Sequence, residues 1–138
     1  MAIIKTILIL FSILLLGGCG QEPVVKIYPE AKHADIRCLG LDIYPTDENM
    51  REYLSSLYGF DPACKTVLLV RHKEDICCNS SHNAFRRGVS GLPENYLRIE
   101  VREGLTPLYS YYIDLDRKAD DGDLKRAFYR LKSDLGLK

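Results

Sequence analysis

Two alternating segments separated by a turn constrain the fold of this chain most. In Tyr96–Glu103, Leu97, Ile99 and Val101 fall on one side, and Arg98, Glu100 and Arg102 on the other. Leu108–Asp116 alternates again, and Gly104-Leu105-Thr106-Pro107 between them reads as a hairpin connection. A period of two means strands with one wet face, so an antiparallel pair needs something apolar against its other face.

That cover comes from two segments with helical spacing. After Thr46, a candidate N-cap, Asp47 and Glu48 fall where acidic groups suit a helix start. Met50, Tyr53, Leu54, Leu57 and Tyr58 then form one stripe, and Gly59 offers a stop. A second helix is expected to begin near Asp120-Asp121-Gly122-Asp123. Its stripe is Leu124, Ala127, Phe128, Leu131 and Leu135, and Gly136 closes it. Residues 34–44 read as a strand with Leu39, Leu41 and Ile43 on one face. Thr66-Val67-Leu68-Leu69-Val70 is apolar on both faces, as a covered central strand would be. Residues 73–95 have no clear period. The predicted order is β-α-β-β-β-α: a two-layer α+β sandwich with about four mostly antiparallel strands and two helices.

The N-terminal region is of another kind. Lys5 precedes the apolar run Ile7–Leu16, which ends in Leu16-Gly17-Gly18-Cys19. A charged start, a short apolar stretch and small residues before a cut mark an export signal. The run is shorter than the roughly 20 apolar residues needed to span a bilayer. Residues 1–19 resemble the signal of bacterial lipoproteins. The resemblance implies cleavage after Gly18 and diacylation of Cys19, which becomes the mature N-terminus. With Gly20 rather than Asp next in line, it also implies the outer membrane, facing the periplasm, in a cell with two membranes.

Removing residues 1–18 leaves 120 of the 138 residues, enough for one domain. Residues 34–138 are read as that domain. Residues 19–33 are read as the lipidated end and a tether, with Val24, Val25, Ile27 and Tyr28 able to dock part of it. About 14 residues would reach about 45 Å when fully stretched. Lys5 is the one charge lost, so 18 basic and 19 acidic side chains remain. That balance argues against nucleic acid as a partner, which needs a concentrated basic surface. Attachment to the membrane is therefore expected through the two acyl chains.

In an exported chain the four further cysteines, Cys38, Cys64, Cys77 and Cys78, are disulfide candidates. A helical crossover would make the strands on either side of it parallel, placing Cys38 and Cys64 at the same end of the sheet. That favours a Cys38–Cys64 bridge, with cross pairings to Cys77 and Cys78 still open. Cys77, Cys78 and His82 lie within six residues and could hold a soft metal or do thiol chemistry. The plain alternative is that both thiols are structural and His82 is solvated.

Phe85, Arg86 and Arg87 lie in the long irregular stretch and have the composition of a contact surface for a protein partner. Gly88-Val89-Ser90-Gly91 lacks the spacing of a nucleophile elbow, and no H-E-x-x-H occurs. The aspartates near residue 120 lack the pattern of a calcium loop and suit helix capping. No cofactor is expected. The reading is a non-catalytic, lipid-anchored interaction or assembly-accessory module of the cell envelope. The alternative is a thiol-redox or soft-metal lipoprotein built on Cys77, Cys78 and His82.

Overall fold

The computed structural model describes residues 21–73 and 95–138. Its elements are strand β1 (Val24–Ile27), a 3-10 turn (Pro29–Lys32), strand β2 (Gly40–Tyr44), helix α1 (Glu48–Leu57), strand β3 (Thr66–Lys73), strand β4 (Asn95–Glu103), strand β5 (Thr106–Leu115) and helix α2 (Asp121–Leu135). The result is an α+β sandwich, as expected, but the sheet is mixed and has five strands in the order β1-β5-β4-β3-β2. β2 and β3 run parallel, joined through α1, while the other neighbours are antiparallel.

The fifth strand comes from the expected tether. Val24 to Ile27 pair with Tyr112 to Tyr109, and the Tyr28 N–H extends the ladder to the Leu108 carbonyl at 3.0 Å. β1 is too short for its period to show in the sequence. The neighbouring strand supplies what the local pattern lacks: a free edge on β5 that would otherwise leave backbone groups unpaired. Pro23 and Pro29 flank the strand and limit its length.

β2 is shorter than the strand expected over residues 34–44. The Leu39 carbonyl accepts from Asp61 N–H at 2.9 Å, so pairing with β3 begins only at Gly40. Helix α1 is capped by Asp47, not Thr46, whose neighbour's carboxylate takes the Met50 N–H at 3.0 Å. The helix also stops at Leu57, two residues before the expected glycine signal, Gly59. Tyr58 turns extended, at φ −154°, and its ring packs at 5.1 Å on Phe60 and 5.9 Å on Phe128. Packing with the distant α2 thus ends this helix. α2 follows its local signals, with a reciprocal Asp120/Asp123 capping box and Gly136 at φ 65°.

The alternation of β4 and β5 sets the core. Leu97, Ile99, Val101, Tyr109 and Tyr111 face the helices beside Leu68 and Val70 of β3, and all are buried. Leu54, Leu124, Phe128 and Leu131 close over them and are fully buried. The hairpin between β4 and β5 is a two-residue turn, Gly104-Leu105. Gly104 sits at φ 60°, where a side chain would be strained. Thr106 and Pro107, expected in the turn, belong to β5. Pro107 lies beyond the end of β1 and beside the register shift at Val101/Arg102, so its missing N–H breaks no ladder on that side.

Candidate functional site

The sheet face opposite the helices is the most distinctive surface of the described residues. Its residues follow from the same alternation that builds the core. β4 contributes Tyr96, Arg98, Glu100 and Arg102. Across the registers, β3 adds Val67, Leu69 and Arg71, and β5 adds Ser110, Tyr112 and Asp114. Among the described elements, neither helix packs on this side.

Glu100 occupies the centre, with its side chain 5% exposed. A carboxylate this buried needs partners for its oxygens. Arg98, two residues before it, donates to Oε1, and Arg102, two residues after, lies 3.4 Å from Oε2. Residues two apart on a strand share a face, so this trio is built into one strand. The Arg98 and Arg102 side chains keep 42% and 35% exposure, so part of each arginine lies outward of the buried carboxylate. The Arg102 Nε is buried without a hydrogen-bond partner among the described residues.

Beside the trio, the Tyr96 and Tyr112 rings stack at 5.7 Å with a 27° interplanar angle. The Tyr112 hydroxyl donates to Asp114 Oδ1 at 2.6 Å. Burial, followed by that hydrogen bond and the Asp114 charge, pushes its ionisation up to about 12. Tyrosine, arginine and half-buried aliphatic side chains on a pre-formed sheet match the composition of protein contact surfaces.

A cleft of about 590 Å³ opens where β2 and β3 end, lined by Tyr44, Pro45, His72, Lys73 and Tyr96. The Tyr44–Pro45 peptide is cis. The buried His72 has Nε2 3.1 Å from the Pro45 carbonyl, so an N–H there would tie β3 to the turn entering α1. Asp120 and Asp123, at the start of α2, are also committed. Asp123 receives the Asp120 N–H at 3.0 Å and Arg117 Nη1 at 2.7 Å, and Arg126 reaches its other oxygen. Among the described residues, no group of three His, Cys, Asp or Glu side chains is placed to hold a metal. No helix among them is long and apolar enough to cross a membrane.

Of the residues singled out by sequence, Cys38 and Cys64 are joined in a disulfide with Cα atoms 5.9 Å apart. Cys19, Cys77, Cys78, His82, Phe85, Arg86 and Arg87 lie outside the described residues. The chain leaves β3 at Lys73 and re-enters at Asn95, at the strand ends that carry the cleft. Sequence reasoning missed the Arg98-Glu100-Arg102 trio, treating it as ordinary outward polarity. Its signal was the opposite charge between two like charges at spacing two. Comparison of the chain with protein-family models, with curated proteins and with solved structures finds no match.

Proposed function

We propose that this chain is a small lipid-anchored protein of the cell envelope whose domain is a non-catalytic interaction or assembly-accessory module. Acyl chains on Cys19 hold it to the membrane, the outer one where the cell has two. A protein partner docks on the domain. The observation that carries the docking is the sheet face of Leu69, Tyr96, Arg98, Arg102 and Tyr112, which combines stacked aromatics, part-exposed arginines and half-buried aliphatics. Site-specific photo-crosslinking in intact cells tests it. A crosslinker at Leu69 or Tyr112 should yield one discrete protein adduct, and the same group at Lys125 or Ser133 on α2 should not. Adducts from α2 alone would reject the sheet face as the docking surface.

The Cys38–Cys64 bridge favours keeping a second reading. It uses up the two cysteines that could otherwise pair with Cys77 and Cys78, so those two are left to each other, to free thiol chemistry or to a soft metal held with His82. Thiol titration of the denatured, unreduced protein decides between these. Two titratable thiols, together with copper or zinc in protein purified without chelator, would establish the metal reading. No titratable thiol and no metal would dismiss it.

A further inference from the structure

We propose that the segment seated on the open sheet face belongs to another protein and is acidic, with its carboxylates over Arg71, Arg98 and Arg102. The inference rests on docking at that face and adds the chemistry of what docks. On their open side, β3 and β4 carry Arg71, Lys73, Arg98 and Arg102 against a single acid, Glu100. The whole chain has 19 basic and 19 acidic side chains, so the excess is local. One carboxylate can offset only one of these cations.

Two of the arginines also stand against each other. Arg71 lies directly opposite Arg98 in the antiparallel ladder of β3 and β4. Side chains so placed have Cβ atoms about 5 Å apart, and like charges there are destabilising. Arg98 reaches along its own strand to Glu100, whose other oxygen faces Arg102. Arg71 has no such relief: it is exposed, and among the described residues no carboxylate pairs with it. A local conflict of this kind is expected where a surface serves binding at some cost to stability. A carboxylate brought to Arg71 relieves the conflict, and the guanidinium fork suits a carboxylate better than any other side-chain partner.

Acidic side chains border the basic strip on both sides. Asp42 of β2 is opposite Leu69, and Asp114 of β5 is opposite Tyr96. β2 and β5 are three strand spacings apart, or about 14 Å. The remaining charge on this side of the strands, Lys26, stands one strand further out, with its ammonium 4.5 Å from the centre of the Tyr28 ring. A broad anionic bilayer laid on the face would meet the two bordering carboxylates together with the arginines. A single segment of chain fits between them, since a helix is about 10 Å across and an extended strand is narrower. Leu69 and the stacked Tyr96 and Tyr112 rings give such a segment apolar contact beside the cations.

The test places a photo-crosslinker at Leu69 of the full chain in intact cells and maps the crosslinked peptide by mass spectrometry. The expected adduct is to another protein, through a stretch with more acidic than basic residues. Arg71→Thr should lower the adduct yield several-fold, Arg71→Glu should abolish it, and Arg71→Lys should retain most of it. The urea midpoint of Arg71→Thr should equal or exceed that of the unchanged protein, because the repulsion with Arg98 is gone. A lower midpoint in that variant, or a yield that Arg71→Glu leaves unchanged, overturns the inference. A neutral or basic peptide at the crosslink overturns the acidic segment and leaves docking at this face intact. A phospholipid mass, or a peptide of this chain, gives the face another occupant and overturns it too. No adduct from Leu69 or Tyr112 removes the docking face, and the inference with it.

Discussion

Val24 lies opposite Tyr112 in the antiparallel ladder of β1 and β5, so the folded sheet includes residues that sequence alone reads as a leash. Val25 is opposite Tyr111 in the same ladder, on the helix-covered side, and is half-buried there. A protein beginning at Ala34 should therefore be less stable than one beginning at Gln21. Losing ladder hydrogen bonds worth about 0.5–1.5 kcal/mol each, with the packing of Val25, gives an expected loss of about 2–4 kcal/mol. Urea unfolding of the two proteins measures it, and equal midpoints would show that β1 contributes nothing.

Phe128 is fully buried and touches both Tyr58 and Phe60 with its ring. Phe128→Ala should cost about 3–5 kcal/mol, the usual range for emptying a buried aromatic site. Because Tyr58 ends α1 against that ring, the variant should also fray the last turn of α1. Amide exchange at Leu57 and Tyr58 would show it as lost protection.

Asp123 should make the domain acid-sensitive below the ordinary carboxylate range. Burial alone would raise its pKa. Hydrogen bonds from Arg117 and the Asp120 N–H, with the Arg117 and Arg126 charges, outweigh burial and hold it below the usual value. A depressed folded pKa stabilises the protein fully above the unfolded value, about 3.9, and this is lost as pH falls through the folded one. Asp123→Asn should cost about 1–2 kcal/mol at neutral pH by removing the charge that pairs with Arg117 and Arg126 and one of the two accepting oxygens. It should also flatten the stability profile below pH ~4. Equilibrium unfolding across that range measures both effects.

Tyr112 should titrate at about 12, as followed by tyrosinate absorbance. Its proton is held more tightly in the folded state. The resulting stabilisation is complete below the unfolded value of about 10 and disappears as pH rises through the folded value. Asp114→Asn removes the accepting charge and should move the titration back toward the ordinary value. An unchanged midpoint would mean that burial alone sets it.

The Cys38–Cys64 bridge closes a loop with a sequence separation of 26 that contains all of α1. Cys38→Ser with Cys64→Ser should lower stability by about 3 kcal/mol through the larger entropy of the open unfolded chain. Thermal unfolding of the double variant, compared with the oxidised protein, gives the difference.

Local patterns determined much of this domain before any tertiary contact was known. The period of β4 set which residues face the core, because a strand cannot turn Ile99 inward without turning Arg98 and Glu100 outward. The capping residues and Gly136 likewise marked α2, since unpaired helix ends are satisfied by nearby side chains and backbone. Pairing between distant segments carries no such local mark. β1 is a strand because β5 has a free edge, not because four residues have a strong period. α1 stops at Leu57 because Tyr58 packs near Phe128, seventy residues away in sequence. The buried centre of the open face also emerges only in the folded sheet. Glu100 could be seen as outward, but its burial between Arg98 and Arg102 depends on side-chain packing over a sheet whose neighbouring strands come from elsewhere in the chain. Sequence determines such a feature when its cause lies within a few residues, and tertiary structure decides it when the partner is remote.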